Sequence, residues 1–222
     1  MHTRTLRQAA RWWPQESARC APPLMIDAGR FLTAPSASCA QLLEKAGLPH
    51  AADMQRGWDH GVFVPMMLLF PAADIPVVQV SLTSDQDAAT QLAIGAALRP
   101  LRDEGVLIVG SGVSFHNFAY LFARGKARET GVRHSLAFDK WLSSTMTDSA
   151  IPAASRLTQL AQWTAAPSAR EAHPAGAAEH LLPALVVAAA AEGMAATKVG
   201  LTPEAGGAEI ASDFAISQFE FR

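Results

Sequence analysis

The chain has 222 residues, half of them apolar, with a formal net charge of −2 and 17% charged side chains. That is about one domain's length, enough to bury a sizeable core. The composition excludes a disordered chain and, as a default, a strongly basic nucleic-acid-binding one.

About a fifth of the residues are alanine, so much of the apolar share is small, helix-compatible filler. Cys20 and Cys39 make neither a disulfide framework nor a C-x-x-C metal pair. Free thiols and a reducing, cytoplasmic setting are expected. Arg7, Gln8 and Arg11 break up any apolar signal core near the start. The longest apolar run, Leu181 to Ala191, has 11 residues. A membrane helix needs ~20, so this run predicts a buried helix and neither membrane nor nucleic acid is an expected partner.

In chain order, residues 1–38 mix Arg, Trp, Pro and Ser without a clean period, with Leu24 to Ile26 as a short strand. They are expected to form a divergent N-terminal segment ahead of a domain over residues 39–222. Cys39 to Gly47 predicts a helix stopped by Gly47. Gly57 to Val64 reads as a loop, and Pro65 to Phe70 as a helix opening on proline. Ile75 to Leu82 is rich in β-branched residues and predicts a buried strand. Asp85 to Glu104 predicts a helix closed by Gly105, and Val106 to Val109 a second buried strand. Together these imply a βαβ crossover. Ser135 to Thr147, Ala153 to Trp163 and Ala178 to Ala191 predict helices, and Ile216 to Phe221 a last strand. The expected class is α/β: one domain with a central, largely parallel or mixed sheet flanked by helices.

Seven histidines are candidates for chemistry. His116 follows the Gly110-Ser111-Gly112 turn, at the carboxyl end of a predicted strand. Ligands of open α/β sheets bind there, and glycines let backbone approach a bound molecule closely. The plainer alternative is a histidine beside a turn. His60 stands in Trp58-Asp59-His60-Gly61, a polar loop by pattern. His180 sits beside Glu179, seven residues after His173. Imidazole is the commonest metal-binding side chain and a carboxylate neighbour suits a hard or borderline metal, although the spacing is no standard metal motif and a polar helix start is an equal reading. Ser111 lacks the flanking glycines of G-x-S-x-G, and neither G-x-x-x-x-G-K-[ST] nor G-x-G-x-x-G occurs.

Four segments resemble, in order, motifs of the class III extradiol ring-cleavage dioxygenases of the DOPA-dioxygenase, LigB-like type. They are Gly57-Trp58-Asp59-His60-Gly61 with Val64-Pro65, the run Phe70 to Ser81, Gly105 to Asn117 (GVLIVGSGVSFHN), and His173-Pro174 through Glu179-His180-Leu181-Leu182-Pro183. Ser217 to Phe221 resembles the closing strand. The likeness covers residues 57–222 and implies oxygen-dependent opening of a catechol ring at a non-haem iron(II), with zinc(II) as another occupant. On this resemblance His116 is the acid–base or metal-proximal histidine and His180 a metal ligand. His60 is a further catalytic histidine that positions substrate or O₂. Asp59, Ser111, His173 and Ser217 are implied as substrate-binding. A catechol-type molecule and O₂ are the implied partners, with homo-oligomerisation open.

Family members begin with strands ending in H-G-x-P and S-A-H-W, each carrying a metal-binding histidine. Here H-G-x-P is missing, and Ala9-Ala10-Arg11-Trp12 has Arg11 where histidine is expected. The expectation is an N-terminally truncated member, short of one βα unit. Its alternative function is that of a degenerate relative without catalytic iron, acting as a binding or partner subunit.

Overall fold

The computed structural model describes residues 24–27, 34–53, 56–199 and 213–222. Arg11 and the remainder of residues 1–23 lie outside them, so the readings placed there concern segments not described. The fold mixes helix and sheet, as expected, and the chain divides into two compact units between Asp85 and Gln86.

In the first unit, strand β1 (Leu24–Asp27) leads to helix α1 (Ala34–Lys45) and strand β2 (His50–Ala52). β1 and β2 pair in parallel, with Leu24 opposite His50 and Ile26 opposite Ala52. Among the described residues, the parallel βαβ connection is this one. Cys39 and Leu43 bury one face of α1. The helix stops as the sequence predicts: Gly47 takes a φ of +69°, its N–H bonds the Glu44 carbonyl at 2.9 Å, and the Leu48 N–H bonds the Leu43 carbonyl at 2.9 Å. Those two bonds form a Schellman motif.

Helix α2 (His60–Leu69) starts five residues before Pro65, where the glycine-punctuated sequence suggested a loop. Packing overrides the local signal. Phe63 and Met66, one helical turn apart, bury with Trp58 in a cluster flanked by Val62, Met67, Phe70 and Val77. The strand expected over Ile75 to Leu82 shrinks to β3 (Gln79–Val80), antiparallel to β1, which gives a mixed sheet in the order β2-β1-β3. Ile75 is exposed, and Pro76 has no N–H to donate to a ladder.

In the second unit, helix α3 (Ala88–Leu98) is capped by Asp87, whose carboxylate accepts from the Thr90 N–H at 2.7 Å. The short helix α4 (Pro100–Asp103) follows, and Gly105 at φ +76° closes the pair. Val106 to Val109 is no strand here. Leu107 is 70% exposed and Val109 47%, and no ladder to a described strand holds them. Apolar β-branched residues make a strand only where a partner backbone takes their hydrogen bonds. The crossover expected from Ile75 to Val109 is therefore absent among the described residues.

Helix α5 (Phe118–Leu121) leads to the long helix α6 (Lys126–Thr147), which begins nine residues earlier than the Ser135 start expected. Its buried residues Gly131, Ser135, Phe138, Leu142 and Thr145 recur at spacings of three and four. Helix α7 (Ala153–Ala161) sends Arg156 into the interior. The Arg156 guanidinium donates to the carbonyls of Asp148 at 2.6 Å and Ile151 at 3.2 Å, just past the end of α6. A cation there complements the negative end of the helix. A short helix α8 (Ala169–Ala172) precedes α9 (Leu182–Ala190), which is the predicted apolar run and is buried as expected. Gly95 of α3 lies so close to α9 that a Cβ would stand 2.1 Å from the Val186 carbonyl oxygen. Strands β4 (Thr197–Val199) and β5 (Gln218–Glu220) pair antiparallel, so the closing strand forms over three residues. No described helix is long and apolar enough to cross a membrane.

Candidate metal centre

His116 ends the irregular run after α4, and His180 lies in the turn that opens α9, 64 positions further on. Backbone contact joins them. A Cβ on Gly112 would stand 2.1 Å from the His180 carbonyl oxygen, and one on Gly110 would stand 2.6 Å from that of Pro183. The glycines expected to admit a bound molecule instead admit the chain's own backbone. Any side chain there would push the two segments apart.

A second set of bonds fixes His116 from the other side. Its N–H donates to the Ala172 carbonyl at 3.0 Å, and the Asn117 amide donates to the Glu171 carbonyl at 2.8 Å. The Asn117 side-chain oxygen in turn accepts from the Ala119 N–H at 3.0 Å, capping α5. His173 Nε2 donates to the Ser114 carbonyl at 3.0 Å. The loop 114–117 is thus stapled to the end of α8 by three bonds.

The rings of His116 and His180 stack at 3.6 Å between centroids, with 23° between their planes. Glu179 places a carboxylate oxygen 3.6 Å from His116 Nδ1. One ligand atom from each of His116, Glu179 and His180 lies within 4.8 Å of the others. Two imidazoles and one carboxylate are a donor set that fits a first-row transition metal, and they leave coordination positions open. All three are partly exposed, so an ion and a small molecule can reach them. Glu179 was no more than a neighbour of His180 in the sequence. The Glu-His dipeptide was its only signal, because its contact with His116 is made through space.

The other expected site residues fall elsewhere. His173 is wholly buried, with Phe138 and Trp163 against its ring edge-on. Burial lowers its pKa to about 4, against the opposing pull of the Ser114 hydrogen bond. It is a neutral imidazole with Nδ1 lacking a hydrogen-bond partner. His173 supports the loop that carries His116 through its bond to Ser114. Ser217 is likewise committed within the protein: its hydroxyl donates to Asp139, and its N–H bonds Ser114 Oγ at 2.9 Å. Lys198 joins the same cluster, 2.9 Å from Asp139 and 2.8 Å from Ser143. Ser111 is half-buried between its two glycines.

His60 and Asp59 belong to the first unit. His60 is exposed on the first turn of α2. Asp59 forms a reciprocal pair with the buried Gln79 side chain: its carboxylate accepts from Gln79 Nε2 at 3.1 Å, and its backbone N–H donates to Gln79 Oε1 at 3.3 Å. That pair ties the start of α2 to β3.

The family model described as the catalytic LigB subunit of aromatic ring-opening dioxygenase matches residues 36–207. Among curated proteins, the chain is 41% identical over 144 residues to the dioxygenase tasH of Hapsidospora irregularis, a stretch that is 63% of this chain and 44% of that one. It is 40% identical over 141 residues to a 4,5-DOPA dioxygenase extradiol of Beta vulgaris, covering 63% of this chain and 48% of that protein. The matched region thus spans less than half the length of these relatives. Among solved structures, an uncharacterized protein of Escherichia coli K12 superposes with a TM-score of 0.68 at 25% identity, covering 87% of this chain and 79% of that one.

Proposed function

The chain belongs to the family of the catalytic LigB subunit of aromatic ring-opening dioxygenases, and from that premise we propose that it takes part in extradiol cleavage of a catechol-type ring by O₂. The observation that carries the proposal is the meeting of His116, Glu179 and His180 within ligand distance of one another. These three would hold a non-haem iron(II), with zinc(II) as the redox-silent substitute. When bound, the iron supplies a common site for catecholate and O₂ and a route for electrons between them.

The chain's own residues do the remainder. His180 and Glu179 offer a neutral nitrogen and a negative oxygen from one turn. His116 completes the donor group. An imidazole has one basic nitrogen, so His116 does one job or the other: off the metal, its ring accepts the proton of a substrate hydroxyl. Loop 114–117 holds the ring in place, so little ordering is left to do when substrate arrives. For His60 as a catalytic residue, and for Asp59 and Ser111 at the substrate, the proposal rests on the motifs alone.

The test is anaerobic loading of the full chain with iron(II), followed by catechol and oxygen. The expected result is one bound iron per chain and oxygen-dependent yellowing as the ring opens. Absence of bound metal with unchanged catechol absorbance overturns the catalytic reading. It would favour the second one, a binding or partner subunit without turnover, for which Arg11 in place of the expected histidine speaks.

A further inference from the structure

Phe118 and Phe122 are large aromatic residues that the fold leaves in the open, 58% and 63% exposed. Their rings lie 5.4 Å apart, tilted at 48°. Phe118 also meets the His116 ring edge-on, at 4.5 Å between centroids. Contiguous apolar surface marks ligand-binding sites more often than a lone exposed side chain does, and this pair of rings adjoins His116. These two are also held firmly. Leu121, from the same short helix, is buried, and the Asn117 side chain caps its first turn while bonding the Glu171 carbonyl. Phe118 opens that anchored helix and Phe122 follows as its C-cap, four residues on and so on the same side.

We propose that Phe118 and Phe122 form an aromatic ledge beside His116 that receives the substrate's ring, making them specificity-determining residues for arenes over non-aromatic chelators. The inference rests on the metal-centre reading above and adds what that reading lacks, a surface that recognises the ring itself. A catechol bound through its hydroxyls next to His116 brings its carbon skeleton within reach of the Phe118 ring. Aromatic rings attract one another in offset or edge-on arrangements, because the negative face of one meets the positive edge of the other. An aliphatic chelator gains nothing comparable.

The test uses the full chain loaded with zinc(II), which binds catechols without consuming oxygen. Affinity for 4-nitrocatechol is read from its visible band, and affinity for acetohydroxamate, a chelator without a ring, from competition. Phe118→Ala is expected to weaken 4-nitrocatechol about tenfold, the order of one lost aromatic contact. Zinc content and acetohydroxamate affinity are expected to stay unchanged. Phe118→Tyr is expected to keep the parent affinity, and Phe122→Ala to lose a smaller factor. Equal 4-nitrocatechol affinity in Phe118→Ala and the parent overturns the ledge while leaving the metal centre standing. Equal loss for both ligands also overturns the ledge, since it reports damage to the metal group and no preference for the ring. A change in sedimentation with unchanged affinities assigns the two rings to a second copy and overturns the ledge as well. Failure of the parent chain to bind 4-nitrocatechol with zinc present overturns both ledge and metal centre.

Discussion

A buried histidine costs stability once it must carry charge, and His173 is the clearest case in this chain. Its folded pKa, about 4, lies below the ordinary value of 6.5. Between those values the unfolded chain takes up a proton that the folded chain refuses. The contribution is therefore complete above pH 6.5 and is lost as pH falls toward 4, amounting to about 3 kcal/mol at the acid end. Urea midpoints at pH 7 and pH 4.5 check this. The parent should lose more stability on acidification than His173→Gln, which starts lower but titrates less. Parallel losses would remove His173 as the source. At the metal centre, Glu179→Gln and His180→Ala should each lower zinc affinity by tenfold or more, since even partners one step removed from a metal contribute about 10–100-fold. Competition with a chromophoric chelator measures it, and an unchanged affinity in either variant takes that residue out of the ligand set.

Among the elements, two close approaches decide where the functional side chains stand. The turn Gly110-Ser111-Gly112 touches the backbone of His180 and Pro183, and loop 114–117 is bonded to the end of α8. Gly112→Ala forces a methyl group against the His180 carbonyl oxygen. The expected outcome is a stability loss of about 1–3 kcal/mol together with weaker zinc binding, because the turn that carries Glu179 and His180 must move. A stability loss with zinc affinity intact would show that the turn tolerates displacement. Arg156 does a comparable job for α6 and α7. Arg156→Met leaves the carbonyls of Asp148 and Ile151 without their donor, so about 2–4 kcal/mol of stability should be lost. A denaturant midpoint within error of the parent would count against that role.

At the scale of the whole molecule, a ligand that binds only the folded chain stabilises it by mass action. Zinc(II) at about a hundred times its dissociation constant should add roughly 2.7 kcal/mol and raise the melting temperature. The rise should vanish in His180→Ala. A rise that persists there would place the stabilising ion elsewhere. The two units hold different parts of the motif set: Asp59 and His60 lie in the first, and His116, Glu179 and His180 in the second. The metal-linked rise tests the second unit's group.

Much of this was legible in the sequence because it is local. Gly47 and Gly105 end helices through their own backbone conformation, Asp87 caps α3 from the adjacent position, and the apolar run at Leu182–Ala190 can only be buried. His116 and His180 were singled out by motif, and family membership follows from several motifs in order. What the sequence could not supply depends on partners distant along the chain. Val106 to Val109 has the composition of a strand, but a strand exists only where another backbone takes its hydrogen bonds. Helix α2 begins at His60 through the burial of Phe63 and Met66 against Trp58, despite glycine and proline signals to the contrary. His173 and Ser217 read as polar site residues, and only the tertiary structure gave their hydrogen bonds to Ser114 and Asp139. The same packing brought the Glu179 carboxylate to the His116 ring and left Phe118 and Phe122 in the open. Local conformational preference is written residue by residue, whereas burial and the convergence of side chains are settled only when distant segments meet.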